Sequence, residues 1–237
     1  MSKESIWGSN AGPPVVWGLT LVFIFFEALF QLSDAGILQQ DMRWQVYLRL
    51  AFFDLYFEGA REGASVPLQF WATFLTHAFL HGGLLHLFMN TGIFLALGSM
   101  LAKGLGTQRF LVLFTVSAIG GALLFALISN PQGPLVGASG ALFGFIGTLK
   151  RWEWRWIAAT GASSQKFWGT ILGLAGINVV LALTFQGAEI AWEAHLGGFI
   201  AGWLIAPMLA INNAAGADNH VRTPAIISRP APVSTNG

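Results

Sequence analysis

The chain lacks cysteine altogether, and only 10% of its 237 residues are charged. Without cysteine there can be no disulfide, no thiolate metal site and no cysteine nucleophile. Soluble domains usually carry about 25% charged residues, so the charge present is too sparse to cover a water-soluble globule of this size. The net charge of +1 gives no argument for binding nucleic acid. These absences exclude most soluble classes of protein.

The chain instead contains several long apolar runs. Hydrophobic residues make up 54% of the chain, and its mean hydropathy is +0.62. A membrane-spanning helix needs about 20 apolar residues. Six runs meet this need approximately, and they are Val15–Gln31, Leu84–Leu101, Phe110–Ser129, Ser139–Ala158, Phe167–Phe185 and Ile190–Ile211. We predict an all-α, polytopic membrane protein with six transmembrane helices in a membrane domain at 15–211. An N-terminal segment at 1–14 and a disordered tail at 212–237 flank that domain.

A long connection, residues 32–83, joins the first two predicted spans. Within it, the segment Trp44–Phe53 mixes aromatic and charged residues and is too short and too polar to span a membrane. We therefore expect a helix lying at the membrane interface. A small extramembrane domain is the alternative, and the sequence leaves it open.

The distribution of lysine and arginine predicts the orientation, because cytoplasmic loops carry an excess of both. With the N-terminus inside and six alternating spans, nine of the 12 Lys and Arg residues fall inside, and the three outside are Arg43, Arg49 and Arg61. This bias places both termini in the cytoplasm and the connection 32–83 outside.

Gly137-Ala138-Ser139-Gly140 puts a serine where the fourth predicted span begins. A turn-rich run, 130–134, precedes it and cannot be helical throughout. Irregular backbone at membrane depth must be buried in protein or line a wet cavity. Ser139 is 11 residues from Lys150, or about 16 Å of helix, which places its hydroxyl inside a bilayer about 30 Å thick.

A serine needs a base to become a nucleophile, and His195 is the candidate. Gly198 and Gly202 share its helix face, so the helix can pack closely against Gly140 and Gly144 of the fourth span. Small residues at this spacing are also common packing devices. A histidine inside a span, however, is costly and usually functional.

Asn90 and His86 are spaced i, i+4 on the second span and face the same way. Together with the backbone N–H of Ser139, they could stabilise an oxyanion. The alternative for Asn90 is an interhelical hydrogen bond. His77 and His81 also have i, i+4 spacing, as in a zinc site. The residues between them, however, include no Glu, and no carboxylate completes a metal site.

Four motifs together resemble the rhomboid family of intramembrane serine proteases. They are 76–83, 86–90, 137–140 and 194–202, and they occur in the family's order and spacing. The resemblance runs from about residue 65 to residue 210. It implies a six-helix core with Ser139 as nucleophile, His195 as general base, and oxyanion donors from Asn90, His86 and the Ser139 backbone.

The resemblance also implies supporting roles for other motif residues. His77 and His81 would shape the first loop and the wet cavity, Phe143 would stack on His195, and Gly137 and Gly140 would support the motif around Ser139. We expect no cofactor and no metal. The expected partners are single-span membrane-protein substrates and the lipid bilayer, with no role for nucleic acid.

Two departures from the family pattern stand out. Ala72 and Thr73 replace a frequent Trp-Arg pair, which puts the usual anchoring of the first loop in doubt. Phe143 fills a position that is often Tyr and lacks only the hydroxyl. No seventh span follows, so a prokaryotic form in the bacterial inner membrane is expected.

Two other functions are compatible with parts of the sequence. A catalytically silent relative could bind membrane-protein clients, although it would need neither Ser139 nor His195. A channel or transporter is disfavoured by the few charges in the spans and by the lack of an internal repeat. Within the protease hypothesis, the glycine-containing fifth span is a candidate for a movable wall.

Overall fold

The computed structural model describes residues 12–129, 133–184 and 191–209. In this part of the chain the regular secondary structure is helical, apart from one isolated β-bridge between Phe52 and Leu135. The α-helices are α1 (Pro14–Asp34), α2 (Met42–Leu50), α3 (Asp54–Arg61), α4 (Leu68–Thr76), α5 (Leu84–Ile93), α6 (Ser99–Leu105), α7 (Thr107–Ile128), α8 (Ser139–Thr160), α9 (Gln165–Thr184) and α10 (Trp192–Ile205). A π-helical segment, Phe94–Gly98, joins α5 to α6, and short 3-10 turns follow α4 and α10.

Among the described residues, three helical segments are long and apolar enough to cross a membrane, and they are Pro14–Asp34, Leu84–Leu105 and Thr107–Ile128. They coincide with the first three predicted spans. The other three predicted spans coincide with α8, α9 and α10. The all-α fold is therefore confirmed for the described residues, while a count of six membrane crossings stays a prediction. Residues 1–11, the end of the fifth predicted span, the ends of the sixth and the predicted tail lie outside the described residues.

The connection between the first two predicted spans is largely helical. The helix predicted around Trp44–Phe53 is present as α2, but α3 and α4 were not predicted. Phe52 exchanges two backbone hydrogen bonds with Leu135, at 3.2 and 2.8 Å. The Phe52 ring packs edge-on against Phe74 at 4.7 Å. These contacts fix the connection against the segment that leads into α8.

Arg43 on α2 anchors the connection to α1. Its guanidinium contacts the fully buried carboxylate of Glu27 at 3.0 Å and donates to the His81 carbonyl at 3.0 Å. Burial alone would lower the pKa of Arg43, but its hydrogen bonds to Glu27 and Tyr47 and the charges of both groups together outweigh this and raise the pKa. The Tyr47 hydroxyl donates to the same carbonyl at 2.7 Å. Arg43 and Tyr47 thus tie α2 to α1 and to the turn at His81.

Helices α7, α8 and α10 form the tightly packed centre of the fold through glycine. Gly198 of α10 lies directly against the carbonyl of Gly140 on α8, and Gly202 lies in the same way against Gly144. Gly197 makes the equivalent contact with Gly120 of α7. Such close backbone approach requires small residues. The packing predicted between these α8 and α10 faces is confirmed.

Aromatic rings fill the space between α1 and this centre. Phe23 of α1 contacts Phe94 edge-on at 5.1 Å, and Phe94 in turn packs on Phe110 and Phe145 at 6.1 and 6.0 Å. All four rings are fully buried. They hold α5 and its π-helical continuation against α7 and α8.

We predict that Gly198→Ala destabilises the protein, because its methyl group would meet the Gly140 backbone, which cannot rotate away. Overpacking of this kind costs about 1–3 kcal/mol. The matched control is Gly173→Ala on α9, where nothing lies within 4 Å of the added methyl group. That change should be neutral or mildly stabilising, because Ala favours helix over Gly. Thermal unfolding midpoints in detergent test this, and equal midpoints for the two variants would contradict the packing.

Candidate active site

Ser139 is the first residue of α8, at the end of a turn that only glycine adopts readily. Gly137 has φ +118°, in the left-handed region, and its N–H donates to the His77 carbonyl at 3.0 Å. The first N–H groups of a helix have no intrahelical acceptor. The Ser139 hydroxyl is therefore next to free backbone donors, and the residue is partly exposed.

His195 lies near the start of α10, and its ring is parallel to that of Phe143. The ring centroids are 4.3 Å apart and the planes differ by 6°. Phe143 follows Ser139 by four residues, so both side chains lie on one face of α8. The Gly140–Gly198 contact fixes this part of α8 against α10. Ser139 and His195 are thus brought to the same face of the α8–α10 interface, and His195 is also partly exposed.

The ring of His195 has a polar partner that the sequence analysis missed. Its Nδ1 forms a hydrogen bond of 2.6 Å with Oδ1 of Asn178 on α9. Among the described residues no hydrogen bond joins Ser139 to His195. The signal in the sequence was an amide in the middle of an apolar run, since polar residues inside spans usually have a function.

His86 and Asn90 converge on the backbone just before Ser139. A methyl group placed at Gly137 would lie 2.8 Å from both Cε1 and Nε2 of His86 and 3.7 Å from Nδ2 of Asn90. Asn90 is only 5% exposed. Its side chain makes no hydrogen bond within the described part of the chain, so the interhelical bond considered from the sequence is not observed there. Its amide can therefore donate to another group.

His77 and His81 lie behind these donors, in the turn that precedes α5. His77 Nδ1 donates to the Thr73 carbonyl at 2.9 Å. The His81 ring packs edge-on against Phe23 and His86 at 5.4 and 5.2 Å. In 12–129, 133–184 and 191–209 no group of three His, Cys, Asp or Glu side chains that could hold a metal is found. Both histidines are buried in this turn.

A cavity of about 550 Å³ opens beside His195, between α8, α9 and α10. Most of its lining side chains are aliphatic or aromatic. The lining residues are Phe143, Ile171, Leu174, Ala175, Asn178, Val179, Trp192, His195, Leu196 and Phe199. Burial of apolar surface in such a space stabilises bound apolar groups. The cavity lies directly beside the candidate base.

The fold and composition define a multi-pass helical membrane protein. Residues 67–212 match the Rhomboid domain. The chain is 29% identical over 159 residues to Rhomboid protease GluP of Bacillus subtilis, a match that covers 66% of this chain and 29% of that protein. It is 35% identical over 197 residues to Rhomboid-like protease 3 of Toxoplasma gondii, a match that covers 83% of this chain and 71% of that protein. It is 34% identical over 150 residues to Rhomboid protease GlpG of Yersinia pestis, a match that covers 60% of this chain and 49% of that protein.

This chain belongs to the rhomboid family, because the family domain matches more than half of it. It spans less than half the length of the GluP and GlpG relatives. The family predicted from the four motifs is confirmed.

We predict that stability falls as the pH is lowered from about 7.5 to about 5. Burial lowers the pKa of His77 to about 4, and burial with the nearby His86 lowers the pKa of His81 to about 3. An unfolded chain takes up these protons near pH 6.5. The stabilisation is therefore complete above pH 6.5 and is lost as the pH falls toward the folded values.

The His81→Leu variant isolates one of these groups. Its thermal midpoint in detergent should fall less between the two pH values than that of the wild type. His220→Gln in the predicted tail is the control and should behave like the wild type. An unchanged pH dependence in His81→Leu would contradict the assignment.

Proposed function

We propose that the protein is an intramembrane serine endopeptidase that hydrolyses peptide bonds in or next to transmembrane segments, with Ser139 and His195 as a catalytic dyad. One observation carries the proposal. Close contact between Gly140 and Gly198, together with parallel stacking of Phe143 and His195, brings the hydroxyl and the imidazole to one face. The names of the relatives, which include Rhomboid protease GluP, agree with it.

In this mechanism His195 Nε2 takes the proton from Ser139 Oγ, which attacks the carbonyl carbon of the substrate. The C–N bond then breaks, and the imidazolium gives its proton to the leaving amine. Water, deprotonated by the same Nε2, attacks the resulting ester and releases the second product. The rings of His195 and Phe143 are parallel, and this stacking limits rotation of the base during both steps.

Three donors support the oxyanion in this proposal. They are the Ser139 N–H at the start of α8, the ring of His86 and the amide of Asn90. The start of a helix favours negative charge because its N–H groups are free and its dipole is positive there. His86 and Asn90 both approach the Gly137 backbone, two residues before Ser139. Donors fixed before reaction need no reorganisation as charge develops.

The proposed substrates are single-span membrane proteins, reached from the lipid bilayer. A helical substrate must unwind locally, because its carbonyl groups are otherwise occupied by its own hydrogen bonds. We propose that both termini are cytoplasmic and that the site opens toward the outer face. The Lys and Arg residues near the C-terminal half of α8, Lys150, Arg151 and Arg155, support this orientation. The bacterial inner membrane remains our proposed location.

We predict that Ser139→Ala and His195→Ala each abolish cleavage of a generic single-span substrate by the purified protein in liposomes. The first change removes only the attacking oxygen, and the second removes the base. Ser117→Ala is a control of the same residue type, since it removes a serine hydroxyl that is buried and has no hydrogen-bond partner among the described residues. It should stay active. Cleavage by Ser139→Ala at the wild-type rate would end the serine mechanism.

A serine-directed phosphonate provides a second readout of the same proposal. It should label the wild type at Ser139 and should not label Ser139→Ala. A catalytically silent relative would show neither labelling nor cleavage.

We predict that Asn90→Ala lowers kcat by roughly tenfold to a thousandfold, the range for loss of one oxyanion donor. Thr91→Val on the same helix is the control, because it removes a buried hydroxyl without a partner in the described residues. Its kcat should stay near that of the wild type. An Asn90→Ala enzyme with unchanged kcat would assign this amide a structural role.

A further inference from the structure

We infer that Asn178 of α9 is a positioning residue that fixes the tautomer and the orientation of His195. The inference rests on the proposed function for its catalytic consequence, but the hydrogen bonding itself can be measured independently. It extends the dyad by a neutral third group, contributed by a different helix from the nucleophile and the base.

The orientation of the Asn178 amide follows from its two contacts. Its Nδ2 donates to the Leu174 carbonyl at 2.9 Å. A carbonyl only accepts, so the amide nitrogen must face Leu174 and Oδ1 must face His195. That assignment does not depend on the histidine.

The tautomer of His195 follows from the amide. Oδ1 of Asn178 lies 2.6 Å from Nδ1 of His195 and can only accept a hydrogen bond. Nδ1 must therefore carry the proton. In the neutral imidazole, Nε2 is then left unprotonated, which is the state that a general base requires.

Two contacts together restrict the imidazole. Phe143 of α8 covers one face of the ring at 4.3 Å, which fixes its plane. Asn178 holds the Nδ1 edge, which fixes its rotation within that plane. Since Phe143 and Ser139 share a face of α8, this restraint keeps the ring on the side of the nucleophile.

The surroundings strengthen this hydrogen bond. Asn178 and His195 both line the cavity, whose other side chains are aliphatic or aromatic. A low local dielectric makes a hydrogen bond stronger and leaves few competing partners. An amide also fixes the tautomer without placing a carboxylate beside the imidazole.

The position of α9 has a direct consequence for catalysis. Its glycines, Gly169, Gly173 and Gly176, have no neighbouring atom within 4 Å of an added Cβ, unlike the buried glycines of α8 and α10. The helix that holds Asn178 is thus the one predicted to move. Outward movement of α9 would break the hydrogen bond and release the base from its productive tautomer.

The test compares Asn178→Ala, Asn178→Asp and Thr170→Val with the wild type. Thr170 is a matched control because its hydroxyl donates to the carbonyl four residues earlier on the same helix, as the Asn178 amide does. We expect Asn178→Ala to lower kcat by roughly tenfold to a hundredfold, part of the effect of a general base, with little change in KM. Thr170→Val should match the wild type.

Asn178→Asp keeps the acceptor and should recover part of the lost kcat. Its carboxylate favours the protonated imidazole, so the acid limb of the pH–rate profile should move to higher pH. Two other titratable groups lie near His195, and they are unchanged in every variant. They are His86 of α5, which also acts electrostatically on His195, and Glu193 of α10. A residue with a purely structural role would alter thermal stability or KM and leave this limb in place.

The tautomer is measured by ¹⁵N NMR of histidine-labelled protein in detergent, with the His195→Ala protein identifying the His195 signals. We expect a protonated Nδ1 and an unprotonated Nε2 in the wild type, and a mixture of tautomers in Asn178→Ala. A proton on Nε2 in the wild type would overturn the inference, as would an Asn178→Ala enzyme with unchanged kcat and pH profile. If Ser139→Ala proved fully active, the proposed function would fail, and the NMR result would still decide the hydrogen bond.

Discussion

The backbone contact between α8 and α10 is the constraint on which the site depends. Gly198 and Gly202 lie against the carbonyls of Gly140 and Gly144, so that no side chain separates the two helices. Between membrane helices the hydrophobic effect contributes little, and close packing of small residues takes its place. Ser139 directly precedes Gly140 on one helix, and His195 lies three residues before Gly198 on the other. Fixing the glycines therefore fixes the hydroxyl and the imidazole, and the stacking of Phe143 on His195 is possible because of the same contact.

The structure places tight and loose packing on opposite sides of His195. On one side α7, α8 and α10 meet through glycine, and a displacement there would have to separate three backbones. On the other side, a cavity of about 550 Å³ separates α9 from its neighbours, and a hydrogen bond from Asn178 crosses to the imidazole. A rigid partner thus sets the plane of the imidazole, and a loosely packed helix sets its rotation. In the proposed mechanism, such an arrangement would let α9 open a path to the site without disturbing Ser139.

The first connection holds the turn before Ser139 from outside the helical centre. Gly137 is tied to the His77 carbonyl, and Leu135 is bridged to Phe52, so the turn before Ser139 is built on the connection itself. Arg43 joins that connection to the buried Glu27 of α1 and to the His81 carbonyl. A buried carboxylate is strongly unfavourable without such a partner. Arg43 of α2 therefore ties the connection to α1.

The sequence alone determined the membrane class, the helical runs, the family and the glycine faces of α8 and α10, because periodicity, hydropathy and local motifs are short-range properties. It also singled out Ser139, His195, Asn90 and His86 as candidates. Only the tertiary structure decided that α3 and α4 form helices within the connection, that Arg43 anchors the connection to α1, and that Asn178 meets His195. These contacts join residues 16 or 17 positions apart, or more, through interhelical geometry. Spacing along one helix does not encode which neighbour its polar side chains will face.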